Sequence, residues 1–274
     1  MIKHRWVSAE WSRKDASFLR QKGIDIDVEG GFNIIKINED DPIYLELKDS
    51  FFAKTRKDFK DEHVASTFSE KELDSCGYYA FFVTEKGYPQ PNPGNRGYLR
   101  KTYVDYYQYS LIPKKGQQNP FILKGEPKWD KKNKAFTLIG VYDALFVNRD
   151  FFDEYLKPRG YKSREVHINT KGDISKGTVQ WDLPICNSKM MLDNTWYDQG
   201  DNCLESGIKR YSPQILDFLP PFEEKPEYDV CLSYEYFGNY NMSNRRFIAS
   251  RKMVDLFLDR GFLTSKKQLH PIKD

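Results

Sequence analysis

The residue pattern closest to a catalytic arrangement in this chain is Glu-x-Lys, which metal-dependent nucleases combine with a nearby acidic residue. There a carboxylate holds Mg²⁺ and the lysine polarises the scissile phosphate. Glu46-Leu47-Lys48 follows Asp40 and Asp41 and ends a predicted strand. The same spacing recurs at Glu126-Pro127-Lys128 and at Glu223-Glu224-Lys225. Because 30% of the residues are charged, chance alone accounts for such matches, and a Mg-dependent nuclease is an alternative interpretation.

Histidine is the other residue type that could do chemistry, since imidazole titrates near neutral pH and is a common metal ligand. His4 and His63 lie in charged stretches, whereas His167 and His270 end two similar segments and lack partners at ligand spacing. The sequence contains no nucleophile elbow, phosphate loop, zinc-protease helix or Cys-x-x-Cys pair. We therefore expect a protein that is not an enzyme and that uses no cofactor and no metal.

Composition argues against nucleic-acid and membrane partners. The 43 basic and 40 acidic residues leave a net charge of +3, too little to attract a polyanion. No window approaches the length of apolar sequence that a membrane-spanning helix needs. The polar start, MIKHRWVSAEWSRKDASF, is unlike a secretory signal. The four cysteines show no paired spacing, as expected of free thiols in the cytoplasm: Cys76, Cys186, Cys203 and Cys231.

Strand signals dominate the first half of the chain. A helix is predicted over Arg13–Lys22, followed by a strand-like alternation of Ile24, Ile26 and Val28. The next elements are a hairpin of the β-prone runs Phe32–Ile37 and Ile43–Leu47, and then solvent-facing helix and loop over 53–75. They are followed by a compact buried run over Tyr78–Val83, a loop over 87–97 and a strand over Tyr98–Ile112.

One strand-helix-strand pattern occurs twice, as ALFVNRDFFDEYLKPRGYKSREVHI at 144–168 and as RFIASRKMVDLFLDRGFLTSKKQLHPI at 246–272. In both, a cap residue (Asn148 or Ser250) and an arginine precede apolar residues that share one helix face. Both helices are predicted to end at Arg-Gly. The sequence therefore predicts an α+β fold of mixed, largely antiparallel sheets with a few packed helices and a duplicated unit. We expect a β-rich N-terminal half, 1–140, packed with an α+β C-terminal half, 141–274, as one globule.

The stretch between the two repeated segments is the most distinctive part of the sequence. Cys203-Leu204-Glu205-Ser206-Gly207 looks like a CxxCG knuckle whose second cysteine has become serine, and Cys186 has Lys189 at the third position. A structural zinc site needs four ligands, so no zinc is expected. This degenerate knuckle is followed by Lys209-Arg210-Tyr211 and by the segments 233–238 and 247–261. Taken together, these features resemble bacterial immunity proteins with double CxxCG motifs. The resemblance implies that a polymorphic or contact-delivered toxin is inhibited by direct binding.

The sequence thus predicts an immunity protein that occludes a cognate toxin domain. The predicted contacts follow the turn Leu219-Pro220-Pro221, where carboxylates could mimic an anionic substrate of the toxin: Phe222, Glu223, Glu224, Glu227 and Asp229. The loop 87–97, with three prolines and three glycines, is a second predicted contact region through Tyr88 and Arg96. A solvated acidic loop, a nuclease and a non-catalytic scaffold or adaptor remain alternatives.

Overall fold

The chain folds into two units of α+β structure. The computed structural model describes residues 1–26, 32–49, 59–91, 102–105, 115–117, 119–169, 172–198, 209–238 and 243–274. The first unit comprises Met1–Ser75 with Gln214–Asp217, and the second comprises Cys76–Pro213 with Phe218–Asp274. Helices and largely antiparallel strands in these residues confirm the predicted α+β class. No helix among them is long and apolar enough to cross a membrane.

The first unit is built on a three-stranded antiparallel sheet. Its strands are β1 (Ile2–Glu10), β2 (Phe32–Asn38) and β3 (Lys60–Thr67), and its helices are α1 (Arg13–Gln21), α2 (Pro42–Asp49) and α3 (Glu70–Leu73). The strand order is β2–β1–β3. A capping box between Ser12 and Asp15 starts α1, and Gly23, with φ of +81°, follows its end. The predicted helix and the predicted strand at Phe32–Ile37 are confirmed.

The second β-prone run, Ile43–Leu47, is helical, so the predicted hairpin is wrong. Pro42 takes the first helical position, where a missing N–H costs nothing. The Ile43 N–H donates to the Asp41 carboxylate at 2.9 Å, which holds the first turn. Tyr44 and Leu47, three residues apart, are both buried in the core of this unit. That spacing is helical, and it outweighs the β-propensity of the individual residue types.

Strands β1 and β3 were not predicted, because both contain many charged residues. The charged stretch 53–75 was predicted as helix and loop, yet Lys60–Thr67 within it is a strand. As the edge strand of the sheet, β3 can carry charges without burying them. The Arg5 Nε lies 3.0 Å from the Asp61 Oδ1, so paired charges link β1 to β3. The predicted alternation at 24–28 is also wrong where it is described, since Ile24 and Ile26 lie in irregular structure.

In the part of the second unit that the structure describes, there is one sheet of five strands, one of four and three smaller ones. Its strands, in chain order, are β4 (Tyr78–Phe81), β5 (Thr84–Glu85), β6 (Tyr103–Asp105), β7 (Lys115–Gln117), β8 (Ile122–Leu123), β9 (Ala135–Leu138), β10 (Val141–Asn148), β11 (Lys162–Arg164), β12 (His167–Ile168), β13 (Asp173–Ile174), β14 (Thr178–Asp182), β15 (Arg210–Tyr211), β16 (Val230–Leu232), β17 (Tyr236–Phe237), β18 (Phe247–Ser250) and β19 (Leu269–Ile272). The sheet orders are β11–β14–β10–β9–β5, β16–β18–β4–β19, β13–β12–β8, β15–β17 and β6–β7. Strand β4 pairs with two C-terminal strands, β18 and β19. The division into halves 1–140 and 141–274 stays a prediction.

Helical segments follow β10 and β18. The first is α4 (Arg149–Phe151), which continues as a π-helical turn (Phe152–Leu156) and a 3-10 turn (Lys157–Arg159); the second is α5 (Arg251–Asp259), with a later 3-10 turn at Lys266–Gln268. The Asn148 side chain caps α4 by accepting from the Phe151 N–H at 3.0 Å. Ser250 instead donates its hydroxyl to Asp229. The order of elements agrees in the two segments, and their origin by duplication stays a prediction.

Aromatic side chains from both helical segments pack around Trp181 of β14, which is 2% exposed. Its ring centroid lies 5.0 Å from that of Tyr161 and 6.2 Å from that of Phe257, both in edge-to-face geometry. Phe257 in turn stacks on Phe262 at 4.3 Å. Edge-to-face ring pairs of this kind stabilise a fold beyond the effect of burying their apolar area, so this cluster contributes to the stability of the unit.

Two glycines that follow the helical segments differ in their surroundings, so the same substitution should destabilise the chain to different extents at the two positions. Gly160 and Gly261 both have positive φ, +84° and +71°. A Cβ on Gly160 would meet nothing within 4 Å, whereas a Cβ on Gly261 would lie 2.3 Å from the Lys131 carbonyl oxygen. We expect Gly160→Ala to lower the free energy of unfolding by about 1 kcal/mol and Gly261→Ala by roughly 2 kcal/mol or more. Urea denaturation of both variants measures the difference, and equal losses would contradict the close approach to Lys131.

Candidate functional site

The segment that carries the predicted contact residues is held in place along its backbone. Leu219 is hydrogen-bonded to residues 271–273, with N···O distances of 2.9 and 2.8 Å. Residues 221–223 are hydrogen-bonded to residues 189–191 at 2.9 and 2.8 Å. The Glu224 N–H also donates to the Ser188 hydroxyl at 2.9 Å. The side chains that follow Pro221 therefore project from a fixed backbone, although they lie in a loop.

A groove of about 530 Å³ opens beside this loop. We call it the 222–229 groove, and its lining comes from four segments: Gly77 and Tyr78; Pro221–Pro226 with Asp229; Ser250–Lys252; and Lys273 with Asp274. The rings of Tyr78 and Phe222 meet edge to face, with centroids 5.7 Å apart. Burial, together with the charge of Asp229, raises the pKa of Tyr78, so its hydroxyl stays neutral. The groove thus has an aromatic pair within a largely charged lining.

Backbone contacts bring the chain end and the start of α5 into this groove. The Gly77 N–H donates to the Asp274 carboxylate at 2.7 Å, and a Cβ on Gly77 would lie 2.8 Å from the same oxygen. Glycine is therefore what allows this approach. The Ser250 N–H and hydroxyl donate to the carbonyl and the carboxylate of Asp229, at 2.7 and 2.8 Å. One oxygen of Asp229 thus has a structural partner, which the sequence did not indicate.

The groove combines carboxylates and amines. Glu223 and Glu224 are exposed, as are Lys225 and Lys252. Within the described ranges, neither Glu224 nor Lys252 forms an ion pair. The predicted anionic surface therefore accounts for only part of the charge in the groove, because cationic side chains from other segments also line it.

The structure brings together some of the predicted contact residues and not others. Phe222, Glu223, Glu224 and Asp229 line the groove. Glu227 is exposed on the same loop but is not part of the lining, and its N–H donates to Asn187. Tyr88, 47% exposed, lies on a separate loop and does not contribute to the groove. Arg96, the rest of the 87–97 loop beyond residue 91 and most of the predicted strand 98–112 lie outside the described residues.

Comparison with protein-family models, with curated proteins and with solved structures gives no match.

The Glu-x-Lys patterns occupy unrelated positions. Glu46 and Lys48 lie on α2 and not at the end of a strand, and Glu46 is paired with Lys22 at 2.7 Å. The Glu126 carboxylate accepts hydrogen bonds from the Ser175 hydroxyl at 2.7 Å and from the Gly177 N–H at 3.0 Å. Among the described residues, no group of three His, Cys, Asp or Glu side chains could hold a metal ion.

The two repeated histidines have different surroundings. His270 is fully buried in β19, with its Nε2 3.0 Å from the Tyr197 hydroxyl. His167 lies in β12, a strand of another sheet, with its Nε2 3.9 Å from the Glu165 carboxylate. His270 is thus placed as a packing residue with a polar contact, and not at an accessible surface.

The cysteine pattern is only partly within the described residues. Cys203, Ser206 and Gly207 of the degenerate knuckle fall outside them, so the absence of zinc stays a prediction. Cys186 and Cys231 are buried free thiols that are hydrogen-bonded to each other. This hydrogen bond lowers the pKa of Cys186 and raises that of Cys231. Cys186 is 1% exposed and Cys231 is 0% exposed, so neither sulfur is accessible as a nucleophile.

Proposed function

We propose that this chain is an immunity protein, which binds a cognate bacterial toxin domain through the 222–229 groove and occludes it. The groove itself supports this proposal. Within the described residues, Glu224 and Lys252 form no ion pair, and they lie near the aromatic pair Tyr78 and Phe222 on a hydrogen-bonded backbone. Loops held by a rigid scaffold are common binding surfaces. A preorganised surface also loses less entropy on association than a flexible one.

The chemistry of the groove favours a polypeptide as the partner. Phe222 and Tyr78 offer an apolar position for one anchoring side chain, in the way that buried aromatic residues act in protein interfaces. Glu224 and Lys252 can pair with a base and an acid of the partner. We propose the cytoplasm as the place of binding, which the free thiols of Cys186 and Cys231 support.

Site-specific photo-crosslinking in the native cells tests this function. A photoreactive p-benzoylphenylalanine replaces Lys225, which lines the groove, or Tyr228, which is exposed on the same loop outside the lining. We expect one protein to be crosslinked mainly from position 225. Expressed alone that protein should be toxic, and expressed together with this chain it should not be.

The alternatives predict different results, two of them in the crosslinking experiment and one in a cleavage assay. A crosslinked partner that is harmless by itself would favour a scaffold or adaptor over an immunity protein. Crosslinking from position 228 alone would contradict the groove as the contact site. Mg-dependent cleavage of nucleic acid that disappears in Glu46→Ala and Lys48→Ala would favour the nuclease interpretation.

A further inference from the structure

A second cavity in the Cys76–Asp274 unit encloses about 670 Å³. We call it the Arg246 pocket, and it shares no residue with the 222–229 groove. Its apolar lining comes mainly from Phe81, Phe82, Val83, Tyr142, Phe237 and Phe247. This volume and this apolar character are typical of sites for small molecules.

Arg246, which lines the pocket, is 7% exposed and has spare hydrogen-bonding capacity. Its Nη2 donates to the Pro213 carbonyl, whereas its Nε and Nη1 have no hydrogen-bond partner within the described part of the chain. Because a guanidinium has five N–H donors, one carbonyl leaves at least one complete two-donor edge unused. Burial lowers the pKa of Arg246 to about 10, so the group remains charged at neutral pH.

Aromatic rings offset this buried charge only in part. The Arg246 Cζ lies 4.5 Å from the ring centroid of Phe237 and 5.3 Å from that of Phe82. Such cation–π contacts are weaker than a carboxylate partner would be in the same place. The neighbouring Arg245 is different, since it donates to the Ser233 and Tyr234 carbonyls and to the Tyr236 hydroxyl. Within the described residues, Arg246 is therefore a buried cation whose Nε and Nη1 donors are available to an anionic acceptor.

The charges around the pocket indicate how much negative charge a ligand carries. Among the described residues, the charged members of its lining are Arg245, Arg246 and Glu85, whose charges leave one excess positive charge. A monoanion balances that excess, whereas a dianion such as phosphate exceeds it and is poorly matched to an aromatic lining. We propose that the Arg246 pocket binds a small organic carboxylate with an apolar body, held by a two-donor edge of Arg246. This inference is independent of the toxin-binding groove.

Calorimetric titration of the full chain tests the proposal with two acids and their neutral amides: 1-naphthoate against 1-naphthamide, and octanoate against octanamide. We expect at least one acid to bind about tenfold or more tightly than its amide, because hydrogen bonds to charged groups are stronger than neutral ones. Arg246→Gln should remove this preference. Arg260→Gln, which changes an exposed arginine outside the pocket, should preserve it.

A pocket-filling variant covers the case in which Arg246→Gln fails to fold. Val83→Trp places a large side chain in the pocket and leaves Arg246 intact, so it should abolish binding of the acid. Equal binding of each acid and its amide to the unmodified chain would overturn the proposal, as would an acid preference that survives Arg246→Gln or Val83→Trp. Inorganic phosphate that competes for the site as tightly as the acid would overturn the assignment to an apolar carboxylate.

Discussion

Trp181→Ala is expected to lower the free energy of unfolding by about 4 kcal/mol, the typical loss for a fully buried aromatic side chain. Trp181 is 2% exposed and packs against rings from both helical segments of its unit. Its ring centroid lies 6.4 Å from that of Phe152 and 6.2 Å from that of Phe257. Its removal leaves a cavity that rigid aromatic neighbours cannot fill. Urea denaturation, followed by circular dichroism, measures the loss.

Two further variants separate packing from other causes. Trp196 is 62% exposed, so Trp196→Ala should change stability by less than about 0.5 kcal/mol. The Trp181 Nε1 has no hydrogen-bond partner within the described ranges, so Trp181→Phe, which retains an aromatic ring, should cost much less than Trp181→Ala. Equal losses for the alanine and phenylalanine variants would show that ring packing is not the source of the effect.

Glu235→Gln is expected to gain stability relative to the unmodified chain as the pH rises from 4 to 8. Burial raises the pKa of Glu235 from 4.5 to about 7, although the Met190 N–H and the Arg245 charge act in the opposite direction. Below pH 4.5 the carboxyl is protonated in both the folded and the unfolded chain, and it has no effect. Between pH 4.5 and 7 only the unfolded chain loses the proton, so stability falls, and above pH 7 the loss is complete.

The size of this effect follows from the shift in pKa. A shift from 4.5 to about 7, at 1.4 kcal/mol per unit, corresponds to about 3 kcal/mol. The difference in unfolding free energy between Glu235→Gln and the unmodified chain should therefore change by about that amount between pH 4 and pH 8. Glutamine retains the oxygen that accepts from the Met190 N–H at 2.7 Å. A difference that stays constant with pH would show that Glu235 titrates normally in the folded chain.

Local sequence patterns correctly predicted those elements in which the apolar positions of the sequence are also the buried positions of the structure. Tyr78–Phe81 is a strand because its residues are apolar and lie in the middle of a sheet, and α5 has the apolar face that its spacing indicates. Ile43–Leu47 was predicted wrongly, because its residue types favour strands while its buried positions repeat with a helical period. β3 was missed, since an edge strand need not have an apolar pattern.

The candidate site could be predicted only in part, because it is assembled from distant segments. Phe222, Glu223 and Glu224 were found from a local signal, an acidic stretch after two prolines. Nothing in the sequence connects them to Tyr78, Lys252 or Asp274, which reach the groove through the pairing of β4 with β18 and β19. The unpaired donors of Arg246, as the described residues show them, could not be predicted either, because hydrogen-bond pairing depends on the folded surroundings and not on the residue type.

The most direct test of toxin binding through the 222–229 groove compares two charge reversals on one loop. Glu224→Lys changes a residue that lines the groove, whereas Glu227→Lys makes the same change outside the lining. We expect Glu224→Lys to weaken the affinity for the crosslinked partner about tenfold, or 1.4 kcal/mol, and to reduce protection from its toxicity. Glu227→Lys should change the dissociation constant by less than about twofold. Equal affinities for the two variants, or a larger loss for Glu227→Lys, would contradict the assignment of the groove as the binding site.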